Sequence, residues 1–239
     1  MDFPEPLVPA VLLKRYKRFL ADMRLADGSV VIAHCANPGA MTGLKEAGSR
    51  CWLSPARNPA RKLPWSWELI EVDGALVGIN TAHPNAIVAE AIAGDRLPGL
   101  SGYNSLRREV RYGRNSRIDI LLDEHPDGAP PCYVEVKNVH LKRDRPRLND
   151  LAEFPDSVTA RGTKHLGELA AMVAAGNRAV MFYLVQRTDC RQFALAGDID
   201  PTYARAFGQA RAAGVEAVAF DCRISTDSIE LNQALRIVG

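Results

Sequence analysis

Asp119, Glu135 and Lys137 are the residues of this chain whose types and spacing could do chemistry. They lie in one stretch, SRIDILLDEHPDGAPPCYVEVKNV, from Ser116 to Val139. Glu135 and Lys137 are two apart, so in a strand they project to the same side. Asp119 lies in an earlier run where Ile118, Ile120 and Leu122 alternate with Arg117, Asp119 and Leu121. If the two runs are neighbouring strands, Asp119 comes to that side too. Two carboxylates can hold a hard divalent cation, Mg²⁺ or Mn²⁺, that keeps several waters. Such a cation lowers the pKa of a bound water and stabilises charge on a phosphoryl group. A neighbouring lysine orients the water or neutralises the developing charge. Glu-x-Lys is also what a solvated strand face carries, so the surrounding elements must decide.

Those elements form a consistent order. HPDGAPP, dense in turn formers, joins the two strands. Upstream, a helix is expected from about Pro84 to Ala93, capped by Asn80 or Thr81, with Ile87, Ala91, Val88 and Ile92 as its buried stripe. Glu90 on that helix is either a solvent-facing glutamate or a third acidic group reaching the patch. A strand follows near Leu106 to Tyr112. Downstream come a helix at about Thr159 to Ala175, a strongly apolar strand from Ala179 to Gln186, a helix from Pro201 to Ala213 and a strand from Glu216 to Phe220. So apolar a strand is expected at the centre of an α/β sheet. Helix-strand-strand-strand-helix-strand is the order of the restriction-endonuclease-like core, and Asp followed by Glu-x-Lys looks like the PD-(D/E)xK nuclease motif. That order favours a cation site over a solvated hairpin.

The preceding part, residues 1–80, reads differently. Short strands are expected at Ala10 to Leu13, Arg18 to Leu25, Val30 to His34, Arg50 to Leu53, Ser66 to Val72 and Leu76 to Ile79, with Asp-Gly turns at Asp27-Gly28 and Asp73-Gly74. About five such strands fit an OB-like barrel, a fold used on nucleic acids and oligosaccharides. The fold class is therefore α/β (α+β): an OB-like β-barrel over residues 1–80 and a restriction-endonuclease-like αβββαβ domain over residues 81–239.

Basic residues suggest where a phosphate backbone would lie. Lys14, Arg15, Lys17 and Arg18 surround Tyr16, a pattern suited to phosphate contact with base stacking and, slightly better when taken alone, to a charged strand edge. Arg57, Arg61 and Lys62 lie in a proline-punctuated loop. Lys142, Arg143, Arg145 and Arg147 follow the Glu-x-Lys strand, where they either grip phosphates or form a solvated loop. Lys164 and His165 open the long helix; Lys164 either pairs with Glu168 one turn on or faces the cleft. His34 beside Cys35 has no further ligands at zinc spacing.

The totals exclude little. The 239 residues are 47% hydrophobic with a net charge of +2, so any nucleic-acid surface must be local. Five scattered cysteines suggest reduced thiols and a cytoplasmic setting. The N-terminal apolar piece is too short for a signal peptide, and no run approaches membrane-spanning length.

Eight stretches together resemble the sugar fermentation stimulation protein family of bacteria and archaea: RYKRFLAD, HCANPGAMTG, SWEL, NTAHPN, LSGY, SRIDILL, YVEVKNV and FPDSVTARGTKHLGEL. The resemblance implies DNA binding, an OB-like first domain and a nuclease-like second one, with a regulatory part in sugar, notably maltose, metabolism. It matches Asp119, Glu135 and Lys137 to the nuclease motif and Glu90 to the helix acid. Pro38 stands where the family more often has Thr. Three functions compete: a metal-dependent nuclease, a catalytically inactive DNA-binding regulator, and a sugar-binding protein. The last finds no aromatic platform, and no helix-turn-helix supports sequence-specific reading.

Overall fold

Five strands close into a barrel before the chain reaches its first helix. The computed structural model describes residues 1–56, 58, 60–113, 115–144 and 150–239. Strands β1 (Val8–Tyr16), β2 (Leu20–Leu25), β3 (Val30–His34), β4 (Arg50–Pro55) and β5 (Trp65–Val72) pair in the order β3-β2-β1-β4-β5, and β3 closes the ring against β5 at Ala33 and His34. This is the OB-like topology. Its interior is filled by Leu12, Met23, Leu53, Trp67 and Ile70, each fully buried. A sixth strand, β6 (Ala75–Gly78), hangs from β5 by a turn in which Asp73 and Gly74 both take positive φ, the geometry Asp-Gly favours.

The second unit is a six-stranded sheet between helical layers. Its strands are β7 (Ser105–Tyr112), β8 (Ser116–Asp123), β9 (Cys132–Val139), β11 (Arg178–Val185), β13 (Glu216–Ile224) and β14 (Ile229–Ala234), in the order β14-β13-β11-β9-β8-β7. Strand β11 runs parallel to both neighbours, and its apolar residues are buried on both faces. Helix α1 (Pro84–Ala93) covers one face; α2 (Ala160–Ala174) and α3 (Pro201–Ala212) cover the other. The expected restriction-endonuclease-like order is therefore present, with additions. Strands β10 (Leu151–Phe154), β12 (Gln192–Leu195) and β15 (Arg236–Val238) form a separate parallel sheet that the sequence pattern does not reveal.

Helix starts follow local chemistry. Thr159 caps α2 by accepting from the Gly162 N–H, and Asp200 caps α3 by accepting from that of Tyr203. The cap of α1 is a correction: His83 occupies that position without a side-chain bond, and Pro84 begins the helix. Asn80 instead donates to Glu68, and the Thr81 hydroxyl donates to the Ala36 carbonyl, because the barrel captures both.

The two units share a seam. Leu7, Trp52 and Leu69 of the barrel belong to the same core as Ile87, Val88 and Ile92 of α1 and Phe182 of β11. Strand β6 continues the contact: Gly78 N–H donates to the Gln186 carbonyl, and Thr188 N–H to that of Leu76.

Candidate functional site

Strand alternation and helix packing bring Glu135 and Lys137 together on the α2 side of the sheet. The strand neighbours Val134 and Val136 point to the α1 core, so Glu135 and Lys137 face the other way. Lys137 Nζ donates to Glu135 Oε1 at 2.7 Å. His165, buried on α2, places Nδ1 against that same oxygen and 3.4 Å from Lys137 Nζ. It reaches them because Gly162, His165, Leu166 and Leu169 form the buried stripe of α2 at helical spacing. Glu135 is 2% exposed, and its Oε2 is buried with no hydrogen-bond partner.

Asp119 arrives by a different route. The β8–β9 ladder pairs Leu122 with Cys132, Leu121 with Tyr133 and Ile120 with Val134. Beyond that point Asp119 Oδ2 accepts from the backbone N–H of Val136 at 2.7 Å. The core assignments change phase there: Ile120 and Leu122 join the α1 side, whereas Ile118 and Leu121 join the α2 side. On the other flank, Glu109 adopts φ +55 within β7, a conformation that costs a non-glycine residue roughly 1–2 kcal/mol. Asn85 of α1 fastens this place, donating to Asp119 Oδ1 at 2.8 Å and to Glu109 Oε1 at 3.2 Å.

The electrostatics separate the two carboxylates. Burial, and then the neighbouring Glu135 charge, push Asp119 up to about 6 against the bonds from Val136 and Asn85. Burial opposes ionisation of Glu135 as well, but His165 and then Lys137 outweigh it and hold that carboxyl below its ordinary range. Tyr112, with a buried hydroxyl lacking a partner, is pushed far up by burial and by the acids Glu135, Glu168 and Asp119.

Beside these groups opens a cavity of about 810 Å³, lined by Arg111, Tyr112, Arg117, Arg161, Lys164 and His165 among others. Its arginines on β7 and β8 are absent from the expected site. The signal for them is the run RREVRYGRNSR, with five arginines between residues 107 and 117.

Other expected residues are placed elsewhere. Glu90 is not at the patch: it lies half-exposed on α1 and pairs with the Met1 ammonium at 3.0 Å and Arg96 at 3.3 Å. Five residues from Asn85, it is turned about 140° away around the helix. Arg15 donates to the Asn37 and Gly39 carbonyls, and Tyr16 donates to Asp22. Lys17 and Arg18 are exposed in the β1–β2 turn. Arg61 and Lys62 line a hollow of about 520 Å³ with His34, Ser66 and Asn80. Lys142 pairs with Asp189 at 2.6 Å, and Arg143 is clasped by Glu153 and Asp198. Lys164 lines the large cavity and sits 3.6 Å from Glu168. The expectations for Arg57, Arg145 and Arg147 fall outside the described residues.

For a divalent cation, the donor set is Asp119 and Glu135. Among the described residues no group of three or more His, Cys, Asp or Glu side chains is placed to hold a metal ion. The unpartnered buried Oε2 of Glu135 nevertheless fits a two-carboxylate site completed by water, as suits Mg²⁺.

An OB-like barrel joined to a sheet carrying Asp119 and Glu135-x-Lys137 defines a two-domain protein of nuclease-like fold. Models of known families match both halves: "SfsA N-terminal OB domain" over residues 13–79 and "Sugar fermentation stimulation protein RE domain" over residues 82–228. The chain belongs to the sugar fermentation stimulation protein family. It is 60% identical to a sugar fermentation stimulation protein homolog of Paramagnetospirillum magneticum, covering 98% of this chain and 97% of that one. It is 59% identical to the homolog of Rhodospirillum centenum over 99% of each. The solved structure of Pyrococcus furiosus SfsA in complex with Ca²⁺ superposes with a TM-score of 0.87 at 25% identity, covering 100% of this chain and 98% of that one. Among the described residues no helix is long and apolar enough to cross a membrane.

Proposed function

We propose that this protein binds DNA without strong sequence specificity and hydrolyses its phosphodiester bonds with Mg²⁺ or Mn²⁺ held by Asp119 and Glu135. The observation that carries this reading is the buried, unpartnered Oε2 of Glu135 on a carboxylate already ordered by Lys137 and His165. An unsatisfied buried oxygen costs about 1–3 kcal/mol, and a cation held at Oε2 would relieve that cost. The Ca²⁺ in the related Pyrococcus structure supports a hard, oxygen-seeking cation.

When bound, the cation supplies a Lewis acid and a more acidic water. The chain's own residues do the rest. Lys137, locked by Glu135, offers a fixed positive charge for the phosphoryl oxygen as negative charge develops. His165 positions both side chains from α2. Asn85 and the Val136 N–H hold Asp119 in a single orientation. Arg111, Arg117, Arg161 and Lys164 line the adjoining cavity and suit flanking phosphates, which carry no sequence information.

The test is cleavage of labelled single- and double-stranded DNA by the wild type and Glu135→Gln, with Mg²⁺, Mn²⁺ or EDTA. Metal-dependent cleavage in the wild type and its loss in the variant are expected. Intact DNA under every condition, with binding that weakens steeply as salt rises, replaces the nuclease by the inactive DNA-binding regulator.

A further inference from the structure

Large apolar side chains are rarely left in water in clusters, yet one face of the barrel does this. Phe19, Val30 and Ile32 are 44%, 60% and 43% exposed, and the only other large hydrophobic so exposed among the described residues is Val158. Val30 and Ile32 lie on the outer face of β3, because the alternate residues Val31 and Ala33 pack on the barrel core with Ala21 and Met23 of β2. Phe19 ends the β1–β2 turn and stacks on His34, with ring centroids 6.4 Å apart and planes 18° apart. The turn presenting it is strained: Lys17 and Arg18 take φ of 47° and 61° in succession. Such strain in an exposed turn is unneeded for a simple connection, where glycine would serve.

The rim of this apolar face carries more basic than acidic groups. Lys17 and Arg18 precede Phe19, Arg24 sits opposite Val30, and Arg61 and Lys62 come from the β4–β5 loop; Asp22, opposite Ile32, is engaged by the Tyr16 hydroxyl. In five-stranded barrels of this topology, strands 2–3 and the loops after strands 1 and 4 are where oligonucleotides bind. A duplex hides its base faces and offers such a barrel only phosphates, for which exposed Phe and Ile have no use. Unstacked bases offer flat apolar faces that stack on aromatic side chains while cations follow the backbone.

We infer that the Phe19–His34–Ile32 face of the barrel is a stacking site for single-stranded nucleic acid. The inference rests on the reading of the chain as DNA-binding and narrows its substrate to DNA bearing a single-stranded segment. His34 joins this face to the hollow lined by Arg61, Asn80 and Ala82. Ala82 is three residues from Asn85, which holds Asp119, a span of at most about 10 Å. A strand stacked on the barrel therefore leads toward the candidate site.

The experiment is fluorescence anisotropy with the full chain in EDTA, using a labelled 15-nucleotide oligothymidylate and a 15-base-pair duplex of mixed sequence. Tighter binding of the single strand is expected. Phe19→Ala should lose about tenfold in oligothymidylate affinity, with little change for duplex, and Phe19→Tyr should restore it. Arg205→Ala, which removes an exposed charge on α3, should leave both unchanged. Equal binding of the two probes, or unchanged oligothymidylate binding by Phe19→Ala, overturns the inference. So does a wild-type dimer that Phe19→Ala converts to monomer in sedimentation, since a second copy would then cover the face. The metal-free format keeps the outcomes apart. Absence of cleavage with intact oligothymidylate binding removes only the nuclease reading. Duplex cleavage without single-strand preference removes only this inference.

Discussion

Asp119 Oδ2 accepts the backbone N–H of Val136 at 2.7 Å, one residue past the last paired rung of β8 and β9. A side chain thus replaces a strand partner at the point where the sheet opens. The carboxylate has a structural duty as well as its proposed chemical one, and substitution can separate them. Asp119→Ala should destabilise the fold by about 1–3 kcal/mol by stranding the Val136 N–H. Asp119→Asn keeps one acceptor for the Val136 N–H and removes a charge that burial and Glu135 disfavour, but it sets its amide against the Asn85 amide, so it should be destabilised less than Asp119→Ala in urea unfolding. Both should lose cleavage. A large stability loss in Asp119→Asn would show that the charge itself holds the strands.

Asp189 gives the acid side of the stability profile. Arg187 grips both of its oxygens at 2.8 and 2.9 Å, and Lys142 adds a contact at 2.6 Å. Burial works against ionisation, but these cations win and bring the carboxyl down to about 2 from an ordinary 3.8. A group whose folded pKa is depressed contributes stability above its unfolded pKa and loses it as pH falls through the folded one. Roughly 2 kcal/mol should therefore disappear between about pH 4 and pH 2. Asp189→Asn should flatten this part of the curve, measured by urea melts at successive pH values. An unchanged slope would assign the acid loss to other carboxylates.

Tyr183 of β11 and Tyr203 of α3 share a 2.7 Å hydrogen bond between fully buried hydroxyls. Tyr203→Phe leaves the Tyr183 hydroxyl unsatisfied and should cost about 1–3 kcal/mol. Adding Tyr183→Phe removes the stranded group, so the double variant should be less destabilised than the sum of the singles. Additive effects in chemical denaturation would mean that water satisfies either hydroxyl alone.

Legibility in the sequence followed the range of the forces involved. Glu135 and Lys137 were readable because strand alternation has period two, and α1 because Pro84 and a compact apolar stripe mark it. Strand β11 announced itself by uninterrupted apolar residues. The β10-β12-β15 sheet was not readable: strands of three or four residues carry little periodicity, and their partners lie 40 or more residues apart in pairs such as Leu151–Gln192 and Gln192–Arg236. Glu90 carries the charge such a site needs, but the phase of α1 is set by the burial of its apolar stripe, and in that phase Asn85 meets Asp119. The β7 arginines were countable in the sequence, but their meeting with Arg161 and Lys164 depends on how α2 docks.

The core that Leu7, Trp52 and Leu69 share with α1 and β11 has a bearing on ancestry. A barrel and a sheet joined by a bare linker can be exchanged between genes and keep their shapes. Here each half completes the other's interior, so recombination at the boundary would expose apolar surface on both. The pair is thus expected to be inherited as a unit, and a chimera built from two distant relatives should need its seam residues transplanted with it.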